Sequence, residues 1–305
     1  MFELLFLGTS ASAPSARRGL PAQILMHDEY RFLIDCGEGT QRQILQSGVG
    51  FRNLGNILIT HGHLDHILGL AGLLSTFMRW ETIEELNVYS GRWALDRIAE
   101  LLHGVVLRGR PAPMPLNLHE IKPGVFFEAP DFTIHAFPVF HRGSDSLGFR
   151  FEERSRHPFL AEKADALGVP QGPQRRDLVG GKSVTLADGT VVHPGDVLGP
   201  LLEGLCYVHI GDAGRTEDLV THCQGADALV IESTYLEEEA GLADQFSHLT
   251  ARQAAGLAVE AQVKQLILTH FSRRYREKDV LAEAQAVFPN TRVARDLDTF
   301  QIKRG

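Results

Sequence analysis

The sequence predicts an α/β fold in which two β-sheets pack face to face with helices outside. Three observations predict it. Short apolar runs bounded by Gly, Pro and Asp turns recur in both halves of the chain, alternating with helical stretches. Several of these runs end on a His or Asp, as expected where open α/β layers gather their chemistry at strand ends. The chain has 305 residues, 44% of them hydrophobic, which suits one large layered domain.

The elements follow in order. Phe2–Leu7, Gln23–His27 and Arg31–Asp35 read as strands, punctuated by Gly8, the 14–19 loop and His27-Asp28-Glu29. A helix fits Thr40–Gln46. Asn56–Thr60 is a buried strand, followed by a helical pattern from Ile67 to about Met78, a strand over Leu86–Tyr89 and a helix over Ala94–Leu102. Closely spaced strands then fill Leu116–Ile121, Val125–Phe127, Phe132–Val139 and Leu147–Phe151. Residues 152 to about 202 are rich in Gly, Pro and charge, too long for an ordinary loop. They are expected to form a partly ordered projecting arm inserted in a single domain spanning 1–305. It would hold a short helix over Phe159–Leu167 and a hairpin with an Asp-Gly turn over Ser183–Val192. Alternation resumes with strands at Leu205–Ile210, Ala228–Ile231 and Gln265–Leu268, and helices at Thr216–Thr221, Thr250–Ala261 and Asp279–Ala286.

The net charge is −8, which argues against non-specific nucleic-acid binding but leaves room for local basic patches. Cys36, Cys206 and Cys223 match no zinc or CxxC spacing and read as reduced structural thiols. No run approaches the roughly 18 apolar residues of a membrane span, and Phe2–Leu7 is too short for a signal segment. The expectation is a cytoplasmic protein without a membrane partner.

The stretch His61-Gly62-His63-Leu64-Asp65-His66 puts four metal-binding side chains within six residues, between a strand and a helix. Imidazoles and carboxylates suit zinc, manganese, cobalt or iron. Completing a dinuclear site needs distant ligands, and His141, Asp212 and His270 each stand just past an apolar strand. Asp212 is the natural bridge. His61, His63, His141 and Asp212 would then hold one ion, and Asp65, His66, Asp212 and His270 the other. A water between two such ions ionises near neutral pH and can attack phosphorus or a carbonyl carbon.

With these residues, the chain resembles the metallo-β-lactamase superfamily, whose signature is HxHxDH followed by a distant His, Asp and His. Within it the chain is similar to the ribonuclease Z family. The likeness runs through LLFLGTSASAP, FLIDCGEGTQRQIL, HGHLDHILGLAGLL, FHRGSDSLGFRF, DGTVVHPGDVLGP, HIGDAGRTEDL, SHLTARQAAGLA and LILTHFSRRY. The resemblance implies an αββα four-layer sandwich, the metallo-β-lactamase fold, holding two Zn2+ per subunit, with Mn2+ or another divalent metal as a substitute. It implies the metal ligands His61, His63, Asp65, His66, His141, Asp212 and His270. It makes Asp65 the general base, and the pair His248 and Glu232 the group that protonates the leaving oxygen or holds the scissile phosphate. The implied activity is endonucleolytic removal of the 3′ trailer from precursor tRNA, in a homodimer whose arm of one subunit grips the tRNA cut by the other. Four positions depart from the family pattern: Leu64, Ala213, Ala16 and Gly19. The last two fall in a loop linked in the family to sensing a CCA end.

Cations expected to meet the RNA are Arg17, Arg18, Arg273 and Arg274, together with the arm. From Arg150 to Lys182 the chain carries seven Lys/Arg against five Asp/Glu. The alternatives are a small-molecule phosphodiesterase or arylsulfatase-like hydrolase on the same site, which would not need the arm, and a non-catalytic RNA-binding protein, which would not need the full ligand set.

Overall fold

A computed structural model describes residues 1–81, 83–142 and 145–304. Gly143 and Ser144 of the FHRGSDSLGFRF segment therefore lie outside the described residues. The chain divides into two compact units, one of residues 1–152 and 205–305, the other of residues 153–204.

In the larger unit the first six strands are β1 (Phe2–Gly8), β2 (Ala22–His27), β3 (Tyr30–Ile34), β4 (Asn56–Leu58), β5 (Leu86–Ser90) and β6 (Leu116–Glu120). They form one sheet in sequential order. The second sheet takes β7 (Gly124–Glu128), β8 (Phe132–Pro138) and β9 (Leu147–Glu153). Within the smaller unit lie β10 (Val184–Thr185) and β11 (Val191–Val192). The second sheet is completed by β12 (Cys206–His209), β13 (Ala228–Glu232), β14 (Leu266–Thr269) and β15 (Thr291–Val293), while β16 (Thr299–Ile302) returns to pair with β1. Each sheet thus has seven strands and is mixed. β1–β3 are antiparallel and β3–β6 parallel in the first, and β12–β15 are parallel in the second.

Alternating apolar residues explain the layering. Phe2, Leu4, Phe6, Leu25, Phe32 and Ile34 from the first sheet meet Phe132, Ile134, Phe149, Phe151, Tyr207 and Val230 from the second in one buried cluster. The opposite face of the first sheet packs on helices Thr40–Ser47, Gly69–Trp80 and Arg92–Ala99. That of the second packs on Ala251–Glu260 and Glu277–Gln285. The expected helix–sheet–sheet–helix sandwich is the observed one. Phe32 sits edge-on to Phe132 and Phe151 at 6.1 and 6.0 Å between ring centroids and is wholly buried. Phe32→Ala is expected to destabilise the protein by about 3–5 kcal/mol, read as a fall in the denaturation midpoint.

Several elements differ from the sequence reading. The helix expected to end at Leu102 continues through a π-helical stretch, Glu100–Val106. Thr216–Thr221 resolves into a 3₁₀ turn, Glu217–Leu219, and a short helix, Val220–Cys223. Helix Ala240–Phe246 and strands β15 and β16 were not anticipated.

The smaller unit has a core of its own, built from Ala164, Val169, Leu178, Val184, Val192 and Val197 with Phe159 and Leu186 against it. Its helices are Ala161–Ala166, Pro173–Val179 and Pro194–Val197. Pro173 opens the second, where its missing N–H costs nothing. Arg175 reaches back to the Asp165 carboxylate and the Val169 carbonyl and lies over the Phe159 ring, so this cation is spent inside the unit.

Among the described residues no helix is long and apolar enough to cross a membrane. Cys36, Cys206 and Cys223 are all buried free thiols, and burial pushes those of Cys206 and Cys223 up to about 12.

Candidate metal centre

Parallel neighbours end side by side, and this places the site. β3 and β4 pair in parallel, so Asp35 and the Thr60–His61 segment emerge together. β12, β13 and β14 are parallel neighbours, so Asp212, Glu232 and His270 emerge together at the facing sheet. His63 leads into a one-turn helix, Leu64–Ile67, which presents Asp65 and His66. The Cys36 N–H donates to the His66 carbonyl at 2.8 Å and the Gly69 N–H to the Cys36 carbonyl at 2.8 Å, which fixes this turn against the end of β3. A Cβ on Gly69 would stand 2.1 Å from the Gly37 carbonyl oxygen, so the helix can approach that loop only with glycine there. Asp35 and His270 both hold positive φ, +57° and +56°, a strained conformation that clusters at functional sites.

The seven expected ligands come together in two groups that share one carboxylate. His61 Nε2 lies 2.9 Å from His63 Nδ1, which is 3.3 Å from His141 Nε2. Asp212 Oδ2 stands 3.7 and 3.6 Å from His61 Nε2 and His141 Nε2. The other oxygen, Oδ1, stands 3.3 Å from His66 Nε2 and 3.2 Å from His270 Nε2. Asp65 Oδ2 is 3.8 and 3.7 Å from the same two nitrogens.

A further ring of hydrogen bonds sets the tautomers. His66 Nδ1–H donates to Asp35 Oδ2 at 2.8 Å. His61 Nδ1–H donates to Thr60 Oγ1 at 3.0 Å, whose own proton goes to Asp35. His141 Nδ1–H donates to the Ser247 carbonyl at 2.7 Å, and His270 Nδ1–H to Thr234 Oγ1 at 2.9 Å, which in turn donates to Glu232. In each of these four rings Nδ1 is a donor, so Nε2 is the atom turned into the site, whereas His63 faces it through Nδ1. This is how metal-binding histidines are held.

The chemistry of the donor set fits a pair of divalent cations. Two ligand atoms about 2.0–2.1 Å from a tetrahedral centre are roughly 3.3–3.4 Å apart, and the donor spacings bracket that value. His66 Nε2, Asp212 Oδ1 and His270 Nε2 are buried without a hydrogen-bond partner, an arrangement that costs stability unless something else binds them. Burial pushes the His63 imidazole down to about 4 and His61 well below its usual value, which keeps both neutral, as ligation requires. His66 goes the other way: burial opposes its charge, but Asp35, Asp212 and Asp65 raise it well above its usual value, so a cation binding there displaces a proton. Burial likewise opposes the charge on Asp212, yet His270 and His66 hold its carboxyl well below the usual range.

Beside the two groups, Glu232 is fully buried and accepts from His248 Nδ1–H at 2.9 Å and the Ala213 N–H at 2.7 Å. Burial works against charge on His248, but Glu232, and then Asp212 and Asp65, raise it to about 9. The expected His248–Glu232 pair is therefore in contact, and Glu232 favours the protonated imidazole.

A cleft of about 550 Å³ opens over the site. Asp65, His63, His141, Asp212 and His248 line it, with Arg273 and Arg274 on its rim. Arg17 lies elsewhere, on an adjoining cleft. Arg18 lines the same adjoining cleft; its guanidinium donates to the Ala294 carbonyl at 2.8 Å, pairs with Glu277 at 2.9 Å and lies over the Phe271 ring. Residues 153–204 form the separate unit described above. Asp35, Thr60, Thr234, Arg142, Tyr235 and Phe246 escaped the sequence reading. The last four line the cleft, and Arg142 lies over the Phe246 ring at 5.3 Å. Asp35 had a usable signal, since it follows the apolar β3 just as Asp212 follows β12. Thr60 and Thr234 had none.

Two family models match the chain. One, described as Anti-Pycsar protein Apyc1, covers residues 2–160, and one, described as a beta-lactamase superfamily domain, covers 174–271. A ribonuclease Z of Bradyrhizobium diazoefficiens is 47% identical over 298 residues, 98% of this chain and 99% of that protein. One of Archaeoglobus fulgidus is 38% identical, covering 99% of this chain and 98% of its own. Among solved structures, human tRNase Z, short form, superposes with a TM-score of 0.69 at 25% identity, covering 99% of this chain and 100% of that one. Zn2+-bound PqqB from Methylobacterium extorquens shares the fold, with a TM-score of 0.67 at 15% identity over 98% of this chain and 99% of that one.

Proposed function

The chain belongs to the ribonuclease Z family, and from that premise we propose a metal-dependent endoribonuclease that removes the 3′ trailer from tRNA precursors, leaving a 3′-hydroxyl on the tRNA and a 5′-phosphate on the trailer. Whole-length likeness to curated ribonucleases Z supports the substrate. The observation that carries the chemistry is Asp212, whose two oxygens face two separate groups of donor atoms.

His61, His63, His141 and Asp212 would hold one ion, and Asp65, His66, His270 and Asp212 the other. Zinc is the proposed metal, supported by the His-rich donor set and by a zinc-bound neighbour in fold. When bound, such a pair supplies an ionised water near neutral pH and neutralises charge on the scissile phosphate. The residues of the chain do the rest. Asp65 Oδ2, held by the Ser12 N–H at 3.0 Å, faces the shared centre and takes a proton as general base. His248, fixed through Nδ1 by Glu232, turns its other nitrogen to the cleft and delivers a proton to the departing 3′-oxygen. Arg273 and Arg274 bind flanking phosphates.

The folded unit at 153–204 is assigned to gripping the tRNA body, in a homodimer with two-fold symmetry, and the cytoplasm is the proposed site of action. Incubation with a trailer-bearing tRNA precursor tests this reading: a single cut with the stated end groups, abolished by chelator, supports it, and an intact precursor overturns it. Excision of residues 157–201 is a second test, feasible because Arg156 and Leu202 already pair across the unit's neck. It is expected to lower precursor cleavage by about 100-fold or more, the loss of roughly two charged contacts. Hydrolysis of a small chromogenic phosphodiester should persist. Equal loss of both would favour neither RNA-gripping nor the rival small-molecule hydrolase, and would assign the unit to stability.

A further inference from the structure

Behind the metal centre the layer between the two sheets holds a polar chain that the proposed reaction does not use. Gln23 on β2 and Tyr207 and His209 on β12 are all buried there among Phe and Leu side chains. Gln23 Nε2–H donates to Tyr207 Oη at 2.6 Å. Tyr207 Oη lies 3.1 Å from His209 Nδ1. A phenol has one proton, so an oxygen that accepts from the amide donates that proton to His209. His209 is then the neutral tautomer with its proton on Nε2, and burial, which pushes its imidazole down to about 4, is consistent with that.

The other amide atom, Gln23 Oε1, is buried with no hydrogen-bond partner. Flipping the amide would reverse every bond of the chain and make Nε2 the orphan, so an unpaired amide atom of Gln23 remains in either orientation. Gln23 lines a pocket of about 20 Å³ together with Asp35 and His209 and with the ligands His66, Asp212 and His270. One water needs about 10–15 Å³ measured this way and two to four polar partners. Most of its wall is apolar, from residues such as Phe6, Ala22 and Ile34, which alone would keep it dry; Gln23, Asp35 and His209 bring polar groups to it.

We propose that this pocket binds one ordered water, which accepts from His209 Nε2–H and donates to Gln23 Oε1 and to the Asp35 carboxylate. Gln23, Tyr207 and His209 are thereby positioning residues. They hold Asp35, which orients His66, and so shape one half of the metal centre from the far side of the sheet layer. The inference rests on His66 being a metal ligand, but the water itself does not depend on a bound ion.

Two measurements on the full-length protein test it. A high-resolution crystal structure of the wild type should show density within hydrogen-bond distance of Gln23, Asp35 and His209; a pocket without density overturns the proposal, whatever the metals do. Competition with a chromogenic chelator should show that Gln23→Leu and His209→Phe weaken one of the bound ions by roughly three- to tenfold, less than the ~10–100-fold cost of losing a direct outer partner. The visible spectrum of the Co2+-loaded protein should shift in both variants. His209→Gln, which keeps a donor near the Nε2 position, should restore most of the affinity. Affinity and spectrum unchanged in folded Gln23→Leu and His209→Phe, or no rescue by His209→Gln, would overturn the positioning role. Wild-type protein that binds no metal while its pocket still holds the water would instead count against the metal-centre reading.

Discussion

Asp212→Ala is expected to lower cleavage of a tRNA precursor by about 10³-fold or more, equivalent to roughly 4 kcal/mol of transition-state stabilisation, and to leave the purified protein short of both ions. The reason is geometric. Oδ2 faces His61 and His141 while Oδ1 faces His66 and His270, so one substitution takes a ligand from each group. Without the shared carboxylate less negative charge would also offset the mutual repulsion of two cations. Metal content and kcat/KM, measured beside the thermal midpoint to exclude misfolding, check the result. A variant that keeps both ions and most of its activity would remove Asp212 from the bridge.

The second large effect is expected at a residue that touches neither ion. Asp35→Ala should weaken metal binding by about 10–100-fold, the usual cost of an outer partner, because His66 loses the acceptor that fixes its tautomer. It should also destabilise the protein by about 1–3 kcal/mol, since the buried Thr60 N–H, now bonded to Asp35 Oδ1 at 2.8 Å, is left without its acceptor. Isothermal metal titration and a denaturant series separate the two consequences. Asp35→Asn keeps much of the shape and should recover stability more than affinity, since an amide is a weaker acceptor for the imidazole N–H than a carboxylate.

These two residues show what the sequence reveals and what it hides. Asp212, His141 and His270 were legible because a polar residue past a buried strand has an evident place at a strand end, and HGHLDH supplies its own spacing. The sheet layers were legible for the same reason, since apolar runs of strand length recur in both halves. Asp35 follows a strand too, yet it acts through His66 and Thr60, and no local pattern says which strand ends will be neighbours; the parallel pairing of β3 and β4 decides that. Thr234 likewise acts only because β13 and β14 end together. β16 was missed because a four-residue edge strand carries little periodicity, and its partner β1 lies at the other end of the chain. The Arg18–Glu277 pair was not legible, because a loop arginine offers no sign of a carboxylate 259 positions away.

The Pro173–Val179 helix, which the sequence did not announce, and the β10–β11 hairpin, which its Asp-Gly turn did, are both short. Their propensities are weak, and the core they build with Val169 and Val197 stabilises them instead. That core explains why a stretch rich in Gly, Pro and charge is ordered at all.

The most direct measurement for the account as a whole is the metal content of catalytically active protein, determined per chain in the fraction that cuts a tRNA precursor. The seven converging ligands predict close to two divalent ions per chain, with cleavage lost as they are withdrawn and regained as zinc is returned. Active protein carrying well under one ion per chain would contradict it.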